Sequence, residues 1–218
     1  MQRLFPLILC CWFINGLTMD LVVDQSVFAV VTHKDGIASG LAHDHFIHAN
    51  NLKAAISGAS TEDLAVDLVF DVAGLEVDEV TQIAKWSAQL KELGIQKEEF
   101  TRHSDKTSKK IHKAMWDKKQ LNKEAFPQIK AQIKKVEQAQ IVMGKRTFAY
   151  RITVAITIVG KTVDKEFGAN ITYNEGVLNL EAATEARFTD FGIKPYSAMF
   201  GAVANQDLFY FYVNLTAR

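Results

Sequence analysis

The sequence predicts a mainly β protein: an antiparallel, up-and-down β-barrel of about eight strands carrying one α-helical insertion. Three observations predict it. Apolar side chains recur at every second residue along several segments, turn residues separate those segments at hairpin distance, and a single stretch changes to a period of three to four residues.

The two-residue period is clearest where Tyr150, Ile152, Val154, Ile156 and Ile158 alternate with Ala149, Arg151, Thr153, Ala155 and Thr157. A strand sends successive side chains to opposite faces, so this pattern describes one wet and one dry face. Leu64, Val66, Leu68, Phe70 and Val72 repeat it against Asp63, Asp67 and Asp71; Val163, Phe167, Ala169, Ile171 and Tyr173 form a third set, and Ile129, Ala131 and Ile133 begin a fourth. Asp35-Gly36, Gly58-Ala59-Ser60, Gly160-Lys161 and Asn174-Glu175-Gly176 supply the turns. The expected strands are 21–33, 37–48, 50–58, 63–74, 128–140, 146–159, 162–174 and 177–189, with a last one at 206–216. A meander of this length closes most naturally into a barrel, which removes the exposed edges of an open sheet.

The insertion covers about 78–123. Asp78 is the expected cap of a helix whose apolar positions are Val80, Ile83, Trp86, Leu90 and Leu93, with Gly94 ending it. A second helix is expected after Ser104 or Asp105, packing through Ile111, Met115 and Trp116, with lysines on its other faces. Together the pair is placed to lid one barrel end.

Ahead of the barrel, Met1-Gln2-Arg3 is a short cationic start and Leu4 to Leu17 is almost continuously apolar. This is the layout of a signal peptide, expected at 1–18, leaving 19–218 as one domain in a periplasmic or secreted protein. Cys10 and Cys11 both lie in that leader, so the exported chain would carry neither thiol nor disulfide. With 218 residues, 48% of them apolar and only three prolines, the chain has the composition of one globular unit.

Lys+Arg and Asp+Glu both number 25, so no overall basic excess marks a nucleic-acid partner. Between Lys97 and Lys135, however, twelve Lys/Arg face five Asp/Glu, a local +7. That stretch is either a solvated helix face or a surface for an anionic headgroup or a transient membrane contact. No phosphate-binding glycine loop, zinc-protease motif or cysteine pair beyond the leader occurs, and Ser39 in Gly36-Ile37-Ala38-Ser39-Gly40 is one place off a hydrolase elbow. No catalytic residue is assigned.

The densest group of potential ligands is His43-Asp44-His45-Phe46-Ile47-His48. On a strand, His43 and His45 share a face about 6–7 Å apart, a separation from which two imidazoles can hold one divalent metal. His33 has the same parity and could approach from the preceding strand, whereas His48 has the opposite parity. The other reading is that these are polar strand residues hydrogen-bonded to their neighbours.

The order of motifs resembles the YceI-like family, lipocalin-like barrels exported to the bacterial periplasm that bind polyisoprenoid lipids. The resemblance is carried by Asp24-Gln25-Ser26-Val27-Phe28, by Met115-Trp116 through Leu121 to Ala125-Phe126-Pro127-Gln128-Ile129, and by the strand-turn-strand from Val154 to Val163. It continues in Arg187-Phe188-Thr189-Asp190-Phe191-Gly192-Ile193, similar to the family's R-x-D-F-G-I segment with one extra residue. Two departures stand out: the long helical insertion and the His43-Asp44-His45 strand.

The resemblance implies a non-enzymatic exported protein that carries or sequesters an isoprenoid-like lipid or quinone in its barrel. With inward parity, the apolar ligand would thread among Phe70, Ile152, Val154, Ile156, Phe167, Phe191 and Tyr210. Two other readings stay open: a metal-dependent protein built on His43 and His45, and a barrel filled by its own side chains that serves a structural or stress-response role.

Overall fold

The computed structural model describes residues 18–38, 40, 42–101 and 103–218. The expected signal peptide therefore lies outside the described residues except at Thr18, as do both cysteines and Ser39.

Twelve strands form one antiparallel sheet: β1 (Thr18–Met19), β2 (Val27–Asp35), β3 (His45–Ala49), β4 (Lys53–Ser57), β5 (Ala65–Asp71), β6 (Leu75–Val77), β7 (Gln128–Met143), β8 (Arg146–Ile158), β9 (Lys161–Asn174), β10 (Val177–Arg187), β11 (Ser197–Ala198) and β12 (Val203–Ala217). The number exceeds the expected count because the expected 63–74 strand is bent into β5 and β6 and because β1 and β11 are additional two-residue strands. β3 pairs with β6 and β4 pairs with β5 in almost the same register, so 45–57 and 65–77 are the arms of a single hairpin kinked at Asn50-Asn51 and at the 3-10 turn Val72–Gly74. One half of this hairpin joins β2 and the other joins β7. From β7 the meander runs through β8, β9 and β10 to β12, which pairs with β2, so the sheet curls into a barrel-like wall.

The first and second expected strands are corrected. Instead of one strand over 21–33, β1 pairs with β4, Leu21 bridges to Ala217, and a 3-10 turn at Val23–Gln25 turns the chain into β2. The expected 37–48 strand shrinks to β3, because Asp35-Gly36 opens a longer connection in which the Ala38 amide bonds the Ala202 carbonyl.

The insertion folds into α1 (Val80–Glu92) and α2 (Asp105–Met115), but the two helices do different things. α2 roofs the barrel mouth. α1 lies against the outside of the sheet, where Trp86, Leu90, Leu93 and Ile95 meet Val27, Ala29, Val31, Phe46, Phe148 and Tyr212. The expectation that both helices lid the barrel is thus corrected for α1. The sheet buries apolar side chains on both faces, an inner core inside the barrel and an outer core under α1.

The end of α1 is locked to the β7–β8 turn. Gly144 sits at φ +57, and a Cβ there would come within 2.4 Å of the Glu92 carbonyl oxygen, so glycine is required twice over. The Lys145 amide donates to the Glu92 carbonyl at 2.7 Å, and Arg146 pairs with the Glu92 carboxylate at 2.9 Å.

Candidate functional site

Inside the barrel mouth is a cavity of about 250 Å³ with mostly apolar walls. Phe28 and Val30 from β2, Ile129 from β7 and Phe209 and Phe211 from β12 reach it because they occupy the inward parity of their strands. Their rings pack edge to face, with Phe209 and Phe211 centroids 5.0 Å apart and nearly perpendicular. Ile111, Ala114 and Met115 of α2 close the top.

The Arg187–Ile193 segment shapes one wall. It forms a 3-10 turn over Phe188–Phe191 in which the Asp190 carboxylate accepts from the Arg187 amide at 3.0 Å and from Lys165 at 3.1 Å. Burial pulls the Asp190 carboxyl up, but these donors together hold it below the usual carboxylate range. Gly192 ends the turn at φ +76, which allows Phe191 and Ile193 to point into the cavity on either side. The polar residues that line the space are few: buried Thr32, whose hydroxyl has no hydrogen-bond partner among the described residues, and His45, Lys110, Gln120, Tyr196 and Asn205.

The expected ligand-lining residues divide into three groups. Phe70 and Phe191 line the cavity. Ile152, Val154 and Phe167 face inward deeper in the barrel around a void of only about 30 Å³, and Ile156 is fully buried in the inner core. Tyr210 is a correction: it alternates with Phe209 and Phe211, so it lies on the outer face, where its ring meets His33 at 5.6 Å. Burial there pushes the Tyr210 phenol up.

The histidines are also redistributed. His33 does not approach His45, because its parity sends it outward, where Nδ1 lies 2.6 Å from Asp44 Oδ2 in a buried pair. His48, also outward, stacks on Phe46 and is buried without a partner for Nδ1; burial holds its imidazole below the ordinary value against the pull of Glu79 and Glu76. His43 precedes β3 and places Nδ1 3.2 Å from the Thr101 hydroxyl.

His45 has a different set of neighbours from the one expected. Its Nδ1 lies 2.7 Å from Asp78 Oδ2, and Nε2 of His103 lies 3.3 Å from the same oxygen. The His103 ring is tilted between those of His43 and His45, with centroids 5.2 and 5.5 Å away. Burial holds the His103 imidazole below its ordinary value, against the nearby Asp78 carboxylate. Asp78 had been expected to cap α1; instead Glu79 does so, accepting from the Thr81 and Gln82 amides, while Asp78 turns inward at φ +55 and its other oxygen accepts from the Phe46 amide at 2.8 Å.

A family profile for the YceI-like domain matches residues 47–214, which is most of the chain. The chain belongs to the YceI-like family. Among solved structures, this YceI-like barrel is similar to BcnA of Burkholderia cenocepacia, with a TM-score of 0.60 at 12% identity, over 91% of this chain and 100% of that one. It is also similar to a polyisoprenoid binding domain from Saccharophagus degradans implicated in plant cell wall breakdown, with a TM-score of 0.52 at 8% identity, over 92% and 97% of the two chains. At these identities the likeness establishes a shared fold. No curated protein matches the sequence. Relative to the sequence of this YceI-like chain, the structure adds Asp78 and His103 as companions of His45.

Proposed function

We propose that this YceI-like protein is a non-enzymatic carrier that sequesters an isoprenoid-like lipid or quinone after export. The observation that carries the reading is the cavity itself: mostly apolar walls, a few polar groups, and a helix for a roof. Burying an apolar chain there contributes roughly 25 cal/mol per Å² before ordering costs. The polyisoprenoid binding domain among the similar structures agrees with an apolar chain as cargo. Lys110 and Gln120 at the rim suit a polar or anionic head.

Export agrees with the cationic and apolar start of the sequence. Because Thr18 pairs with Ser57, cleavage before Thr18 keeps the first strand intact. Ile37, Met199 and Phe200 are exposed apolar side chains near the mouth, a surface on which cargo can pass to or from a membrane.

The test is native mass spectrometry of the exported protein with extraction of any released molecule, followed by titration of the delipidated protein with a polyprenol and with ubiquinone. We expect a bound mass of several hundred daltons and saturable uptake. Ile111→Asp changes the roof without touching the barrel core and should weaken uptake at least tenfold while the fold is retained. A protein that is empty on isolation and takes up neither probe would overturn the carrier reading.

A further inference from the structure

His45 from β3, Asp78 from the β6–α1 junction and His103 from the α1–α2 connection bring one potential ligand atom each to within 4.8 Å of one another. Two imidazoles and a carboxylate suit a first-row divalent cation of the zinc type, which takes nitrogen and oxygen ligands and needs only three protein groups if a fourth position is left for another ligand. Three features distinguish the cluster from an incidental group of polar side chains.

The first is depth. The Asp78 side chain is 1% exposed and that of His103 is 8% exposed. The second is an unsatisfied polar atom: His103 Nε2 is buried 3.3 Å from Asp78 Oδ2 and has no well-aligned hydrogen-bond partner among the described residues. A buried polar nitrogen in that state costs free energy unless something occupies the space it faces. The third is preparation of the carboxylate, whose Oδ1 is held by the Phe46 amide, leaving Oδ2 directed at both histidines. A supporting bond of this kind orients a metal ligand.

We infer that His45, Asp78 and His103 form a binding site for a zinc-type divalent cation at the rim of the barrel. His103 lies two residues ahead of α2, so the bound ion would tie the cavity roof to β3 and to the start of α1. His45 also belongs to the cavity wall, which puts the remaining coordination position beside the cavity. His43, the other half of the pair picked out by spacing, stands behind the His103 ring and is not one of the three. The site does not depend on the cargo, since its ligands all come from the protein.

The test uses chelator-treated, delipidated protein titrated with Zn²⁺ against a chromophoric competitor, with Co²⁺ as a spectroscopic probe. We expect one equivalent to bind, visible ligand-field bands with Co²⁺, and at least tenfold weaker binding with loss of those bands in His45→Ala and in His103→Ala. Asp78→Asn retains an oxygen for the Phe46 amide while removing the carboxylate, and should weaken Zn²⁺ binding in a protein whose circular dichroism is unchanged. His43→Ala should bind Zn²⁺ within threefold of the parent. Absence of stoichiometric binding, or unchanged binding in a folded His103→Ala variant, would overturn the assignment.

Discussion

Asp78 shows how one side chain can be misread from sequence and then account for a site. An aspartate just before an amphipathic run is the standard sign of a helix start, yet here the next residue, Glu79, takes the cap and Asp78 turns to β3. His45 was visible because it lies beside other histidines on a strand. Asp78 and His103 are 33 and 58 positions away and have no shared spacing with it, so only the folded chain brings them together. His48 permits a separate prediction. Burial lowers its folded-state pKa below the unfolded value of 6.5, so the unfolded chain binds the proton more readily. Its contribution to stability is therefore full above that value and is lost as pH falls below it through the folded pKa. Comparing urea midpoints between pH 7.5 and 5.0, His48→Gln should lose less stability on acidification than the parent; an equal loss would show that His48 is not responsible.

Among the elements, the long strands β7 to β10 were legible to within a few residues because each is polar on one side and apolar on the other over much of its length. The two helices were legible as helices and α2 lies over the barrel mouth as expected, but the destination of α1 was not legible. Periodicity reports that a face is apolar and says nothing about which sheet face it will cover. The missing clue was in the strands: Val27-Phe28-Ala29-Val30-Val31 and Phe209-Tyr210-Phe211-Tyr212-Val213 are apolar at both parities, as expected for strands covered on both sides. In the second run parity does not say which side faces inward, and assigning Tyr210 the inward parity led to the error over it. Trp86 tests the division of labour. Its ring packs 5.8 Å from that of Tyr212 in the outer core, so Trp86→Ala should destabilise the protein by about 3 kcal/mol in chemical denaturation. Lipid uptake per folded molecule should stay unchanged, since the inner face is untouched; a selective loss of uptake would show that α1 shapes the cavity.

At the scale of the whole molecule, the two cores separate stability from occupancy. The deep end of the barrel is filled by Ile152, Ile156, Phe167 and their neighbours, α1 covers part of the outer face, and the mouth is left spacious. Emptying that mouth removes few of the contacts that hold the sheet together. The roof is held much more lightly: α2 has no fully buried residue, and Trp116 just beyond it donates to the Val72 carbonyl at 3.0 Å as one of its few anchors to the barrel. Amide hydrogens of α2 should therefore exchange at least a hundredfold faster than those at the centres of β8 and β9, as local opening demands. Equal protection, measured by mass spectrometry, would mean that the roof opens only when the barrel unfolds. On the proposed carrier reading, a roof that opens separately from the barrel would give two independent controls: the aromatic walls would set how much cargo is held at equilibrium and the fastening of α2 would set the residence time, so a change to that fastening would speed or slow delivery without altering the preference for the molecule delivered.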